Sequence, residues 1–156
     1  MKALVVFYSR DGHTRAVARE IAQALGADNE EIVDKKNRKG IIGWLLGGRD
    51  ATRKLDTEIG PLKCDPAQYD LVVVGTPVWA WNMAPAVRAY LVRNKGKIKS
   101  AAFFCTQGGS GGEKTFGCME ELLGMKPKAT LELNAKELAG PEKGAKITAF
   151  VSKIKE

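Results

Sequence analysis

Three stretches of this sequence combine residue types that suit a phosphorylated, planar ligand better than an acid, a base or a nucleophile. The first is Ser9-Arg10-Asp11-Gly12-His13-Thr14, which follows an apolar run and precedes a helical pattern. Successive backbone amides there, with the Ser9 and Thr14 hydroxyls, make an anion cradle, and a helix N-terminus adds roughly +0.5 charge. A capped strand-to-helix turn, with Ser9 or Asp11 as N-cap, is the competing reading. No Gly-Lys-Ser/Thr follows, so it is not a Walker loop. The second is Thr76-Pro77-Val78-Trp79-Ala80-Trp81-Asn82-Met83, where two tryptophans stand at a strand tip and offer a flat apolar wall to an aromatic ligand. Ordinary core packing competes for one of the two rings. The third, Thr106-Gln107-Gly108-Gly109-Ser110-Gly111-Gly112, keeps side chains short so that backbone amides can approach a flat ligand closely, unless it is only a flexible linker.

Other chemistries are poorly supplied. Cys64, Cys105 and Cys118 cannot all pair, none lies in a C-x-x-C arrangement, and His13 is the only histidine, so reduced thiols and no metal site are expected. The +7 charge is local: residues 35–55 hold seven basic residues against one acidic, and residues 84–100 hold five against none. No zinc finger, RNP motif or basic/aromatic strand accompanies these patches, so a nucleic-acid partner is not expected. An anionic lipid or an acidic protein partner is what such patches can serve.

The elements that must position the loops follow from apolar period. Ala3–Tyr8, Leu71–Val74 and Ala101–Cys105 are continuous apolar runs of the kind buried on both faces of a parallel sheet. Glu30–Val33 reads as a short edge strand, and Ala129, Leu131 and Leu133 alternate with polar residues as a half-covered outer strand. Val17, Ile21 and Leu25, then Val87, Tyr90 and Leu91 behind Pro85, then Phe116, Met119 and Leu123, and finally Ile147, Phe150, Val151 and Ile154 each mark a helix face. A further helix of about fifteen residues follows Lys35–Lys39 and ends near Leu55. Strand and helix alternate five times, which implies one three-layer α/β/α domain over residues 1–156, with a parallel sheet and right-handed crossovers. Ligands bind such sheets beyond the carboxyl ends of the strands, where all three loops lie.

The longest apolar stretch, Gly40 to Gly48, is far short of the ~20 residues that span a bilayer. The run from Ala3 is too short for a secretory segment, so a cytoplasmic location is expected. Ile41-Ile42-Gly43-Trp44-Leu45-Leu46 packs five large apolar residues into six, more than one helical face hides. Some of them are expected at the surface as a partner or self-association contact, a helix end tucked under a loop being the alternative.

Taken together, the three loops resemble the flavodoxin family over essentially the whole chain. The resemblance lies in a hydroxyl-rich phosphate loop after the first strand, Thr-Pro-Val-Trp with a second aromatic residue after the third, and a Gly-rich loop after the fourth. The family's phosphate loop commonly reads Thr/Ser-x-Thr-Gly-x-Thr, which maps onto Ser9, Asp11, Gly12 and Thr14, with Asp11 departing from it. Rivals of similar topology fail on residues. A receiver domain needs an acceptor Asp where Thr76-Pro77 stands, and a low-molecular-weight phosphatase needs Arg where Gly111 follows Cys105. No G-x-G-x-x-G follows the first strand either.

The resemblance implies a five-stranded doubly wound sheet of order 2-1-3-4-5 with FMN as cofactor. It implies the phosphate on Ser9, Arg10, Asp11, Gly12, His13 and Thr14. The isoalloxazine would then lie between Thr76, Pro77, Val78, Trp79, Ala80, Trp81, Asn82 and Met83 on one side and Thr106, Gln107, Gly108, Gly109 and Gly112 on the other. Trp79, directly after Thr-Pro-Val, is the expected main ring contact. No side chain need act as catalyst, because the flavin carries the chemistry. A redox carrier between a reductase and a protein acceptor is the implied function, and redox protein partners of acidic character are expected. A flavodoxin-like NAD(P)H:quinone oxidoreductase and a flavodoxin-type protoporphyrinogen oxidase are the alternatives.

Overall fold

A computed structural model describes residues 1–54 and 57–156; Leu55, where the second helix is expected to end, lies outside them. The apolar runs form the centre of one sheet. β1 (Ala3–Phe7), β3 (Leu71–Trp79) and β5 (Ala101–Gln107) lie side by side, flanked by β2 (Asp28–Glu31) and β6 (Thr130–Asn134). All four pairings are parallel, in the order β2-β1-β3-β5-β6. Numbered among themselves, these five strands run 2-1-3-4-5, as the resemblance implies. One element is added: β4 (Asn82–Met83) folds back antiparallel on the end of β3.

Alternation along the strands divides the core in two. Leu4, Val6, Val72, Val74 and Phe103 face α3 (Pro85–Asn94) and α4 (Gly112–Leu123), through Val87, Tyr90, Leu91 and Met119. Val5, Phe7, Val73, Phe104 and Leu133 face α1 (His13–Leu25) and α6 (Glu142–Lys155), through Val17, Ile21, Ile147, Phe150 and Ile154. With both faces of the central strands covered by apolar helix stripes, a polar residue there would have no partner, which is why those strands read as unbroken apolar runs. α2 (Gly40–Thr52) packs beside α3 and the end of β3, and a short α5 (Ala135–Ala139) precedes α6. No helix among the described residues is long and apolar enough to cross a membrane.

Two boundaries differ from the sequence expectation for physical reasons. β2 starts two residues earlier than Glu30, on Asp28, and ends at Glu31. Its acids are satisfied locally: the buried Glu30 carboxylate accepts from the backbone N–H of Lys63 and Cys64, and Arg15 grips Glu31 with two hydrogen bonds of 2.9 and 2.6 Å. β3 continues well past Val74, through Pro77 to Trp79, because β4 pairs with its tip, Val78 opposite Met83 and Trp79 opposite Asn82.

Candidate functional site

The loop after β1 is closed by its own side chains. Ser9 Oγ accepts from the N–H groups of Gly12 (3.0 Å) and Arg15 (3.3 Å), and Asp11 Oδ1 accepts from His13 N (3.4 Å). Gly12, in the left-handed region at φ 102°, is the residue from which α1 starts. Ser9 therefore gathers the loop, and Asp11 turns toward the helix amides. Among the described residues, no protein group accepts from the N–H of Arg10, Asp11 or Thr14. Those donors, next to a helix N-terminus, are what an anion needs. The arginines are engaged elsewhere: Arg15 with Glu31, and Arg10 with the carbonyls of Arg38 (2.8 Å) and Gly40 (3.0 Å). Arg10 thereby ties this loop to the start of α2. Thr14 is buried, and its hydroxyl lies 2.9 Å from that of Thr106, joining the first loop to the end of β5.

The second segment is a strand and a hairpin turn rather than a loop. Ala80 and Trp81 occupy the turn with φ 49° and 59°, a left-handed pair that costs non-glycine residues about 1 kcal/mol each. Side-chain bonds hold the segment. Thr76 Oγ1 accepts from Ala84 N (3.0 Å) and donates to the Pro77 carbonyl (2.9 Å). Asn82 Oδ1 accepts from Met83 N (2.8 Å) and Arg88 (3.1 Å), and Asn82 Nδ2 reaches the Ala51 carbonyl at 3.4 Å. Trp81 Nε1 donates to Ser110 Oγ at 3.3 Å, and its ring fills the space where a side chain on Gly111 (φ +104°) would stand.

A cavity of about 490 Å³ opens at the carboxyl ends of these strands. It is lined by Arg10, Asp11 and His13 from the first loop, Pro77, Val78 and Trp79 from the second segment, and Thr106, Gln107 and Gly108 from the third. Trp79 stands edge-on to Tyr8, with centroids 5.6 Å apart, and packs on Gly47 of α2, where a Cβ would come within 2.8 Å of the indole. Burial, with the Asp34 carboxylate adding to it, pushes the Tyr8 hydroxyl up to about 12, so it stays a neutral donor. Trp81 lines a separate depression of about 690 Å³ with Gly109, Gly112, Lys114 and Glu132. The two tryptophans thus serve different surfaces.

Of the remaining expected residues, Met83 lies wholly in the core, Thr76 is buried, and Ser9, Gly12 and Thr14 shape the anion loop from behind. Gln107 touches both cavities. Its Nε2 donates to Glu132 (2.6 Å), while its buried Oε1 has no partner among the described residues. Such an orphaned acceptor fits a ligand that brings a donor. Four lining residues escape the sequence reading: Trp44 from α2, and Ala135, Leu138 and Ala139 from α5. For α5 a signal existed in Asn134-Ala-Lys-Glu137, a capping box in which each side chain bonds the other's backbone N–H at 2.8 and 2.9 Å.

Comparison with known proteins settles the lineage. A family model described as flavodoxin matches residues 2–154. The chain belongs to the flavodoxin family. Among solved structures, a Lactobacillus acidophilus flavoprotein in complex with FMN is similar at 21% identity and a TM-score of 0.74, covering 84% of this chain and 92% of that one. A Bacteroides eggerthii chain matches at 21% identity and 0.75, covering 96% and 97%. The two-electron reduced Megasphaera elsdenii flavodoxin matches at 17% and 0.58, covering 96% and 98%. At these identities the likeness is one of fold.

Proposed function

We propose that this flavodoxin-family chain binds one FMN at the carboxyl ends of β1, β3 and β5 and carries electrons between a reductase and a protein acceptor. The observation that carries the reading is the cavity that gathers all three segments, lined by Arg10 and Asp11 of the loop with the open amides and by Trp79. Bound there, FMN supplies the redox chemistry. The chain's own residues bind and orient. The amides and the helix N-terminus take the phosphate, Trp79 walls the ring, and the orphaned Gln107 Oε1 accepts from a ring donor. The exposed lysines and arginines of residues 35–54 and 84–100 would steer an acidic partner, so transfer rates should fall as salt rises. The FMN complex with the Lactobacillus acidophilus relative supports the choice of cofactor.

Acid extraction of the purified protein, followed by chromatography, is expected to release about one FMN per chain and no FAD. A colourless protein that cannot be reconstituted with FMN refutes the reading. An enzymatic function, reduction of a quinone by NAD(P)H, draws support from the extra apolar wall of Trp44 and Leu138. Steady-state turnover with NADH or NADPH and a quinone would decide for it.

A further inference from the structure

Helix α2 is built inside out. Its buried stripe is Gly43, Gly47, Asp50 and Ala51, whereas Ile41, Ile42, Trp44 and Leu45 are 79%, 74%, 60% and 57% exposed. At ~100° per residue Ile41 and Leu45 point away from the stripe, Ile42 lies to one side of them, and Trp44 flanks the stripe beside Ala51. The helix cannot roll over to hide them. A Cβ on Gly43 would run into the Arg38 backbone, one on Gly47 would strike the Trp79 ring, and Asp50 is gripped by Arg38 at 2.6 Å. The large apolar residues are held outward by the fit of the small ones.

Four large apolar side chains, each more than half exposed on one helix, approach the few hundred Å² of apolar patch at which monomers tend to carry an interaction site. Cations flank it along the chain. Lys39 precedes it, Arg49, Arg53 and Lys54 follow, and all are exposed; between Lys35 and Lys54 the only acid is Asp50, which is buried. Some of that charge is shared, Lys36 and Arg49 with Asp50 and Lys35 with Glu58, yet the surface remains basic.

We propose that this face docks on an anionic lipid surface, with α2 lying in the headgroup plane. Aliphatic side chains plus one indole, flanked by Lys and Arg, match what an interfacial helix offers a charged bilayer. The sole polar atom among the four side chains is the Trp44 indole N–H, which suits the headgroup level. A second copy fits worse. Facing patches would bring Lys39, Arg49 and Arg53 of both copies together, and a stable dimer needs about 800 Å² per partner. Trp44 also walls the 490 Å³ cavity, so the docked face would adjoin that site. This inference goes beyond the proposed electron transfer and does not depend on FMN.

Sedimentation with vesicles of phosphatidylcholine alone, or with 30% phosphatidylglycerol, tests it on the full chain. The wild type should bind the anionic vesicles and release from them at high salt, with at least tenfold weaker binding to the neutral ones. Ile41→Glu/Ile42→Glu should lose at least tenfold, and because both positions are exposed its thermal melt should match the wild type. Lys39→Ala/Arg53→Ala should lose about 25-fold, near fivefold for each charge removed from an anionic surface. Equal binding to both vesicle types, or an isoleucine variant that binds like the wild type, overturns the proposal. So does light scattering that shows a dimer dissolved by Ile41→Glu/Ile42→Glu.

Discussion

The buried ion cluster under α2 allows a sharp test in Asp50→Asn. Asp50 is 2% exposed and receives Arg38 Nη1 at 2.6 Å, Lys36 Nζ at 3.1 Å and Arg49 at 2.9 and 3.1 Å. Arg38, 3% exposed, also donates to Asp34 at 3.1 Å. Burial pushes the Asp50 carboxyl up, but the bonds from Arg38, Arg49 and Lys36 outweigh it and hold the pKa at about 2 against an ordinary 3.8. Ionised Asp50 therefore contributes about 2 kcal/mol at neutral pH. Because the folded pKa lies below the unfolded one, that contribution is fully present above about pH 4 and fades as pH falls toward 2. The asparagine leaves the Arg38 guanidinium buried with one carboxylate, and breaking such a pair costs roughly 3–5 kcal/mol when nothing replaces it. An amide oxygen can still accept one bond, so a loss of about 2–3 kcal/mol is expected, roughly 5–10 °C in Tm for a chain of this size. Urea titration of both proteins at pH 7, 5 and 3 is the assay. The gap should be equal at pH 7 and 5 and about half as large at pH 3. A gap below about 0.5 kcal/mol, or one that widens on acidification, refutes the reasoning.

Two further outcomes can be measured directly. Trp79→Ala should weaken FMN binding at least several-fold, since a stacked ring contributes roughly 1 kcal/mol beyond its area, whereas Trp81→Ala should change it by less than about twofold; the reverse ranking in an FMN titration would move the ring contact to Trp81. Cys105 is buried in β5, and burial, with Glu132 adding to it, pushes its thiol far above the ordinary range. A disulfide reagent at pH 8 should therefore reach only Cys64 and Cys118 until denaturant is added, and three fast thiols in the native protein would contradict that burial.

The sheet was legible because its central strands carry their burial in plain apolar runs, and α3 starts at Pro85 as expected, with Val87, Tyr90 and Leu91 on its buried face. Legibility stopped where tertiary fit overrides local pattern. The Ala80–Trp81 turn lacks the Asn-Gly signal of a left-handed hairpin and is held by Trp81 on Gly111 and Ser110, far along the chain. The acidic β2 carries no strand propensity, and its pairing with β1 draws on partners at Arg15, Lys63 and Cys64. That Ile41, Ile42, Trp44 and Leu45 exceed one hidden face could be read from spacing; that glycines take the inner face could not, because only the positions of Arg38 and Trp79 require it. At the candidate site all three segments were found from residue type. The choice of Trp79 over Trp81 came from its place after Thr-Pro-Val in the resemblance, since two residues in a turn follow neither helical nor strand period.

The hydroxyl pair of Thr14 and Thr106 has a direction as well as a length. Each oxygen owns one proton, and across their 2.9 Å separation only one of the two can donate. If Thr14 donates, the Thr106 proton stays free toward the cavity that Thr106 lines; if Thr106 donates, it does not. Whichever hydroxyl donates, only the other keeps its proton free for a further acceptor, and a Thr106→Val chain would keep the shape while leaving the Thr14 hydroxyl without that partner.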